Sequence, residues 1–463
     1  MRRSCLAAFL AAGCVHAGAV VAAPPEIKTS FDLRLRYEGL DTPSRSTAAD
    51  RTYGFSLGRA RFGVDAAWPQ WKLHGMLQAA GVIGLPHNGA FAAGPTYMAA
   101  NAGDDDPSEI GIAELSAAYA NGGFKAIVGR QPYADGNELA TGIAYLDGVK
   151  KRLLSDRLIG VFEWPNVGRR FDGASFAYGR GSASLSGFAL WPLTGAFDHQ
   201  DAFAELDGVA VFGLTLAGKH GAWLPGSELR VFAIEYQDDR PVARRLAGGD
   251  LQIETAGASL LCGNTTRHVL LWGVLQSGDW GTSDQQGWAY VVNAGRSFPQ
   301  LAGKPTVHLG LEQSSGDDGP GEDHGTFFNL LPTNHKYYGV MDYVDFPNLR
   351  DAYLESVVSA GEKLKLRAAV HDFALTKRTD AWYGGSGAFQ EASLGYTARL
   401  PAAGRFPSHD LGREADLELT WAGPRGLQVG VGGGRFWGGD AARAFLPVAA
   451  DGSWTYLELS WKR

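Results

Sequence analysis

From Phe31 to Glu38 the chain alternates without a break. Phe31, Leu33, Leu35 and Tyr37 fall on one face of an extended strand, and Asp32, Arg34, Arg36 and Glu38 fall on the other. Successive strand side chains point to opposite faces, so a period of two marks a strand with one apolar and one charged side. The pattern recurs. Ala60, Phe62, Val64, Ala66 and Trp68 oppose Arg59, Arg61, Gly63 and Asp65; after a tight Pro69-Gln70 turn, Trp71, Leu73, Gly75, Leu77 and Ala79 oppose Lys72, His74, Met76 and Gln78. Toward the C-terminus Leu364, Leu366, Ala368 and Val370 oppose Lys363, Lys365, Arg367 and His371. Ala415, Leu417, Leu419 and Trp421 then oppose Glu414, Asp416, Glu418 and Thr420, and Leu457, Leu459 and Trp461 oppose Tyr456, Glu458 and Ser460.

Composition narrows what these strands build. Glycine occupies 63 of 463 positions, too many for a helix-dominated protein when each helix-interior Gly costs about 1 kcal/mol. Aromatic content of 11% and hydrophobic content of 45% exclude a disordered chain. The balance of 42 basic and 49 acidic residues excludes a nucleic-acid binder working by bulk charge.

The N-terminus reads as an export signal over residues 1–22. Arg2 and Arg3 precede an apolar core from Ser4 to Val15, and Val20 and Ala22 stand where a peptidase reads small residues before Ala23. Leu10-Ala11-Ala12-Gly13-Cys14 keeps open a competing lipoprotein reading, in which Cys14 is lipidated. Cleavage before Ala23 removes two arginines and no acid, making the net charge of −7 two units more negative. It also removes Cys5 and Cys14, leaving Cys262 without an intrachain disulfide partner.

No segment after the signal reads as a membrane-spanning helix. Leu73 to Gly103 carries no Asp, Glu, Lys or Arg before its end, but Pro86, Pro95 and several glycines interrupt it. The remaining spanning architecture is a closed barrel, whose strands pair every backbone polar group with one another. A soluble sandwich also alternates, with the apolar face as core. The lack of linkers, the alternation of short turns with very long loops, and aromatics such as Trp68 and Trp71 beside a turn favour the barrel. Residues 23–463 are therefore expected to form an all-β transmembrane antiparallel β-barrel in the outer membrane. Pro69-Gln70, Asn121–Gly123, Gly179–Ser182, Ala360–Lys363 and Ala422–Gly426 would be short periplasmic turns. Leu85–Glu109, Pro132–Arg169, Ser315–Phe346 and Thr376–Leu411 would be long outer loops. With both termini periplasmic the strand number is even, and about 18 results if Phe389–Arg399 belongs to an outer loop, within a range of 16 to 20. The charged faces must then point inward, since Lys363, Lys365 and Arg367 facing lipid would cost roughly 2–4 kcal/mol each at mid-depth.

Several stretches resemble the alginate-export family of outer-membrane porins. Leu331-Pro332-Thr333-Asn334-His335-Lys336-Tyr337-Tyr338-Gly339, with Met341-Asp342 and Asn348-Leu349 after it, is similar to that family's most recognisable loop. Val128-Gly129-Arg130-Gln131 resembles its strand ending in G-R-Q. Trp164-Pro165-Asn166 with Gly168-Arg169-Arg170-Phe171-Asp172-Gly173, and Leu411-Gly412-Arg413-Glu414-Ala415-Asp416-Leu417, resemble the starts of two later strands. The resemblance implies a channel for an anionic polysaccharide, alginate-like, with periplasmic export proteins as candidate partners. Two departures are visible: the chain ends Trp461-Lys462-Arg463 rather than on an aromatic residue, and Ala113 stands before Glu114 where the family's alginate porin places an arginine.

The candidate substrate pathway comprises Arg34, Arg36, Arg59, Arg61, Arg130, Lys363, Lys365 and Arg367, because guanidinium pairs bidentately with carboxylate. Asp32, Glu38, Asp65, Glu312, Glu414, Asp416, Glu418 and Glu458 also point inward by alternation, so the same cations could instead be neutralised wall charges. Arg130 shares the phase of Val128 and would sit at a strand end or beyond a bulge. Asn334, His335, Lys336 and Tyr337 belong to a loop that either meets substrate at the mouth or folds inward as a plug. Asp317, Asp318, Glu322 and Asp323 form a weak calcium candidate without regular ligand spacing, and solvated acids are the plainer reading. No cofactor is expected. Gly430-Val431-Gly432-Gly433-Gly434 lacks the register of a phosphate loop, and no G-x-S-x-G, H-E-x-x-H or paired CxxC is present, so the chain is read as a non-enzyme. The expected function is passive passage of an anionic polysaccharide or related anionic solute. The alternatives are a general or other-substrate porin and a barrel sheath for a partner protein. Membrane lipid is the other expected partner, and nucleic acid is not.

Overall fold

A computed structural model of the protein describes residues 24–219, 226–319, 321 and 323–463; residues 1–22, expected as an export signal, and with them Cys14, lie outside the described residues. A closed antiparallel barrel of 18 strands is formed by β1 (Glu26–Asp41), β2 (Thr52–Ala67), β3 (Trp71–Ile83), β4 (Ser108–Asn121), β5 (Phe124–Arg130) and β6 (Phe171–Arg180). It continues through β7 (Ala183–Pro192), β8 (Val209–Lys219), β9 (Glu228–Asp238), β10 (Leu251–Gly263), β11 (Arg267–Trp280) and β12 (Trp288–Ser297). The last six are β13 (Thr306–Ser314), β14 (Leu349–Ala360), β15 (Leu364–Leu375), β16 (Asp410–Ala422), β17 (Leu427–Gly438) and β18 (Gly452–Lys462). Each strand pairs with its sequence neighbour. The seam closes where β1 meets β18, with Leu33 opposite Trp461 and Asp41 opposite Ser453. The sheet is thereby closed on itself, and most ladder groups of the wall pair with a neighbouring strand without help from water, although β5 pairs with only the Leu115–Asn121 part of β4.

The burial pattern is inverted relative to a soluble sandwich. Leu35 is 49% exposed and its cross-strand partner Leu459 43%, whereas Arg36, next in sequence and on the opposite face, is 2% exposed. The apolar face therefore looks out to lipid and the charged face in, as the cost of placing charges requires. At the end carrying both termini, Trp71 packs on Tyr119 with ring centres 4.9 Å apart and Phe31 on Trp461 at 5.6 Å. Trp288 and Tyr290 stack at the opposite end. These two groups sit where the interfacial girdles of a membrane barrel belong.

Chain between strands is distributed unequally. At the terminal end, residues 68–70, 122–123, 181–182 and 361–363 are tight turns. At the other end, residues 84–107, 131–170, 315–348 and 376–409 are long, and they fold into the barrel rather than away from it. The strand-like stretch near 396 is part of such a loop: Trp382–Gly385 pairs with Tyr396–Arg399 apart from the wall. In the loop after β5, helix α1 (Ala144–Leu153) carries Asp147 in its first turn and Lys150, Lys151 and Arg152 in its last, matching the helix dipole. Thr141 donates through its amide and hydroxyl to Asp147 at 2.6 and 2.8 Å and fixes the approach to the helix. Leu146, Val149 and Leu153 bury one face of the helix.

The half of the barrel away from the termini is consequently filled. Leu158 and Ile159 of one loop, Phe327, Leu330, Leu331 and Tyr343 of the next, and Trp382 of a third join inward residues of the wall such as Val211, Ile234, Trp272 and Phe436 in one hydrophobic cluster. The glycines of β17 give the plug room: a Cβ on Gly434 would lie 2.7 Å from Cγ of Met341.

Two predictions follow from the wall and its filling. Leu35→Arg or Leu459→Arg should lower stability in lipid vesicles by about 2–4 kcal/mol, read as a drop in the urea midpoint; an unchanged midpoint would contradict the outward assignment of this face. Within the plug, Asp345 accepts from Asn329 at 2.9 Å, Asn334 at 2.6 Å and the Phe346 amide at 2.6 Å, while its Oδ2 is buried without a hydrogen-bond partner. Burial pushes this carboxyl up to about 7, only partly offset by those donors. The folded state therefore holds a proton that the unfolded chain has released, and the plug is tightest in acid. Protease resistance of the loops should decline as pH rises from the ordinary aspartate range, near 4, to about 7, and Asp345→Asn should flatten that decline.

Candidate functional site

Inward-facing cations of β1 and β2 meet one strap of the loop that precedes β6. Arg34 donates to the carbonyl oxygen of Glu163 at 2.8 Å, and to those of Pro165 and Asn166 at 3.3 Å each. Arg36 donates to the carbonyl of Trp164 at 2.8 Å and lies over the Trp164 ring, 3.8 Å from its centre. Arg59 reaches the Asn166 carbonyl, and Arg61 and Gln78 both reach that of Val167 at 3.2 Å. The strap is held from its other side by Asn166, whose side-chain amide donates to the carbonyls of Gly58 and Gly81 at 2.8 and 2.9 Å. Five consecutive carbonyls, from Glu163 to Val167, are thus read by the wall.

The Glu163 carboxylate is the centre of this arrangement. Arg59 lies 2.7 Å from Oε2, Arg61 3.0 Å from the same oxygen, and Arg170 2.8 Å from Oε1. Burial by itself would raise the acid's pKa, but the guanidiniums of Arg170, Arg61 and Arg59 outweigh it and hold the carboxyl well below the usual range. Its side chain still keeps 35% of its accessibility inside the barrel. From Arg170 a polar chain runs toward the terminal end. Arg170 pairs with Glu114 at 2.8 Å, Glu114 with His74 at 3.2 Å, His74 with Asp65 at 2.6 Å, and Asp65 with Lys72 at 3.0 Å. Glu114, with Ala113 before it, takes its arginine partner from position 170 instead of from its own strand.

The same loop is pinned elsewhere by charges of the opposite arrangement. Lys150 lies 2.6 Å from Glu228 of β9, Arg157 makes two 2.7 Å bonds to Glu312 of β13, and Arg152 pairs with Glu355 of β14. Arg230 of β9 binds Glu138 at 2.7 Å. On β9, β13 and β14 the wall thus mostly offers acids to a basic stretch of loop, with Arg230 and Glu138 in the reverse sense, whereas Arg59 and Arg61 of β2 are basic against Glu163.

The remaining sequence candidates occupy different places. Arg130 follows Gly129, whose φ of +113° breaks the regular strand. Arg130 pairs with Asp172 at 2.9 Å and donates to the Ile112 carbonyl, apart from the Glu163 cluster. Lys363 lies exposed in the turn before β15 and Lys365 is exposed near it, whereas Arg367 sits deeper, 2.6 Å from both Glu355 and Glu418. Asn334, His335, Lys336 and Tyr337 form a turn that locks one loop to another. Asn334 binds Asp345 and the Gly385 carbonyl, Lys336 lies 2.6 Å from the Ser155 carbonyl and 3.0 Å from Asp156, and the Tyr337 hydroxyl donates to Ser155. His335 stacks on Trp164 at 3.8 Å and pairs with Asp342.

Of the acidic loop, Asp317 caps the amides of Gly319 and Gly325, and Asp318 pairs with Lys377 at 2.6 Å. Asp323 pairs in parallel with Asp284, and Glu322 lies outside the described residues. Among the described residues no group of three or more His, Cys, Asp or Glu is placed to hold a metal ion. Alternation did not single out Glu163, Arg170 or Trp164, because they lie in a loop. Their signal was the W-P-N and G-R-R-F motif itself.

A search of curated proteins finds no match to the sequence. Among solved structures, the chain is similar in fold to OccAB3 of Acinetobacter baumannii, with a TM-score of 0.58, 11% identity, and coverage of 95% of this chain and 100% of that one. It is similar also to OpdO of Pseudomonas aeruginosa, with a TM-score of 0.56, 13% identity, and coverage of 95% and 97%. OpdK of the same organism, solved with vanillate, gives a TM-score of 0.54, 12% identity, and coverage of 94% and 98%. The alginate-export family model matches residues 27–455. With that match over a closed outer-membrane-type barrel, this chain belongs to the alginate-export family.

Proposed function

We propose that this outer-membrane barrel is a passive channel for a carboxylate-bearing anion, with an alginate-like polysaccharide as the expected cargo. The observation that carries this reading is the convergence of Arg59, Arg61 and Arg170 on a single carboxylate, with Arg34 and Arg36 bound to the adjoining carbonyls. Such a group of fixed guanidiniums favours entry of carboxylates and disfavours cations. Family membership supports export of a polysaccharide. The loop-filled outer half weighs against a sheath around a partner protein, and the reading is of a channel rather than an enzyme.

A second reading is a porin for small anionic solutes. The inward loops and their buried ion pairs favour it, because they narrow the bore that a polymer must thread. The similarity in fold to OpdK, solved with vanillate, a small carboxylate, is compatible with it.

Planar-bilayer recording under a salt gradient separates these readings. The purified barrel should show a reversal potential favouring anions. Arg59→Ala combined with Arg61→Ala should reduce the anion-to-cation permeability ratio several-fold. Block by oligouronates of increasing length would support the polymer; block by monomeric uronate alone would favour the small-solute porin. A cation-selective native channel would overturn both.

A further inference from the structure

We infer that the strap at residues 163–167 is an internal mimic of the transported anion, and that the Glu163 carboxylate fills the site a carboxylate of the solute must take. This rests on the proposed channel reading and adds to it a closed state held by the protein's own acid. The strap offers a run of uncharged oxygen acceptors with a carboxylate at one end, each met by a wall donor, and an anionic sugar chain likewise presents neutral hydroxyl and ether oxygens beside a carboxylate. Hydrogen bonds from ionised donors to an ionised acceptor are the strongest of their kind, and the guanidinium fork matches a carboxylate well.

The wall itself neutralises part of this group, with Arg36 2.9 Å from Glu38 and Arg59 3.7 Å from Asp32, but two further observations leave room for an additional anion. Arg34, 7% exposed, has only neutral hydrogen-bond partners: the carbonyls of Glu163, Pro165 and Asn166 and the Asn166 side-chain oxygen. The Nε atoms of Arg34 and Arg59 are buried with no hydrogen-bond partner at all, a cost that an additional acceptor would remove. The acid itself is carried by a loop, not by the wall, so it can leave without disturbing a strand. A loop acid and a solute acid cannot both hold the three guanidiniums, and binding of solute is therefore competitive with closure.

Competition has a direct test in detergent-solubilised full-length protein. Glucuronate is titrated calorimetrically against the native barrel, Glu163→Gln and Glu163→Ala, with glucose as the neutral control. Both variants should bind glucuronate at least about tenfold more tightly than the native protein, since each loses the charged competitor, and none should bind glucose. Arg61→Ala added to Glu163→Ala should abolish the gain. As a second readout, acetate should raise the unfolding temperature of Glu163→Ala more than equimolar chloride or sulfate does. Asp318→Asn, an exposed loop acid paired with Lys377, should bind as the native protein does. Equal affinity in native and Glu163 variants, or stabilisation by acetate no greater than by chloride, overturns the inference while leaving anion selectivity in the bilayer untouched. Tighter binding in the variants together with a cation-selective channel would keep the exchange site and overturn the channel reading.

Discussion

A bilayer offers no hydrogen bonds to the backbone, and the rest of this structure follows from that constraint. The chain satisfies it by closing its strands into a ring, with β1 joined to β18. Closure gives the wall one face toward lipid, which must be apolar, and one toward the interior, where the polar side chains of every strand collect. Charges on strands as different as β2 and β13 are thereby brought into one enclosed space. Charges in such a space need partners, and the wall supplies some of them, as Arg367 does for Glu355 and Glu418, but not all.

The loops supply them. Lys150, Arg152 and Arg157 meet Glu228, Glu355 and Glu312, while Glu138 and Glu163 meet Arg230 and the β2 arginines. A buried pair contributes little net stability over an apolar packing, but losing one partner costs about 3–5 kcal/mol. Such pairs therefore act mainly to fix where the loop lies. The hydrophobic contacts of Ile159, Leu331, Tyr343 and Trp382 give the plug its cohesion, and the charges give it its register against the wall.

Arginine on β1 and β2 is consequently read in two ways at once. It positions the strap in the closed barrel, and it presents a surface suited to holding a carboxylate inside a narrow lumen. The two roles use the same atoms. A structure that holds its own acid there is well suited to sensing another acid, since displacement exchanges one charge-assisted contact for a similar one.

The wall is the part of this molecule that residue order alone makes readable. The period of two, the inward placement of Arg34, Arg36, Arg59 and Arg61, the short turn at Pro69-Gln70 and the 18 strands were legible because each depends on neighbours one or two residues away and on a single external cost, that of charge in lipid. Loop positions such as Asn334 and Lys336 were legible as a motif, but whether they faced the mouth or folded inward was open. The tertiary structure decided that they bind Asp345 and Ser155 across the plug. It also decided that Arg130 turns aside to Asp172 and that Glu163 sits among three arginines. Several of those outcomes rest on contacts spanning 42, 104 and 181 positions of the chain. Long-range pairing of this kind leaves no periodicity in the chain, and only closure of the barrel brings the partners within reach.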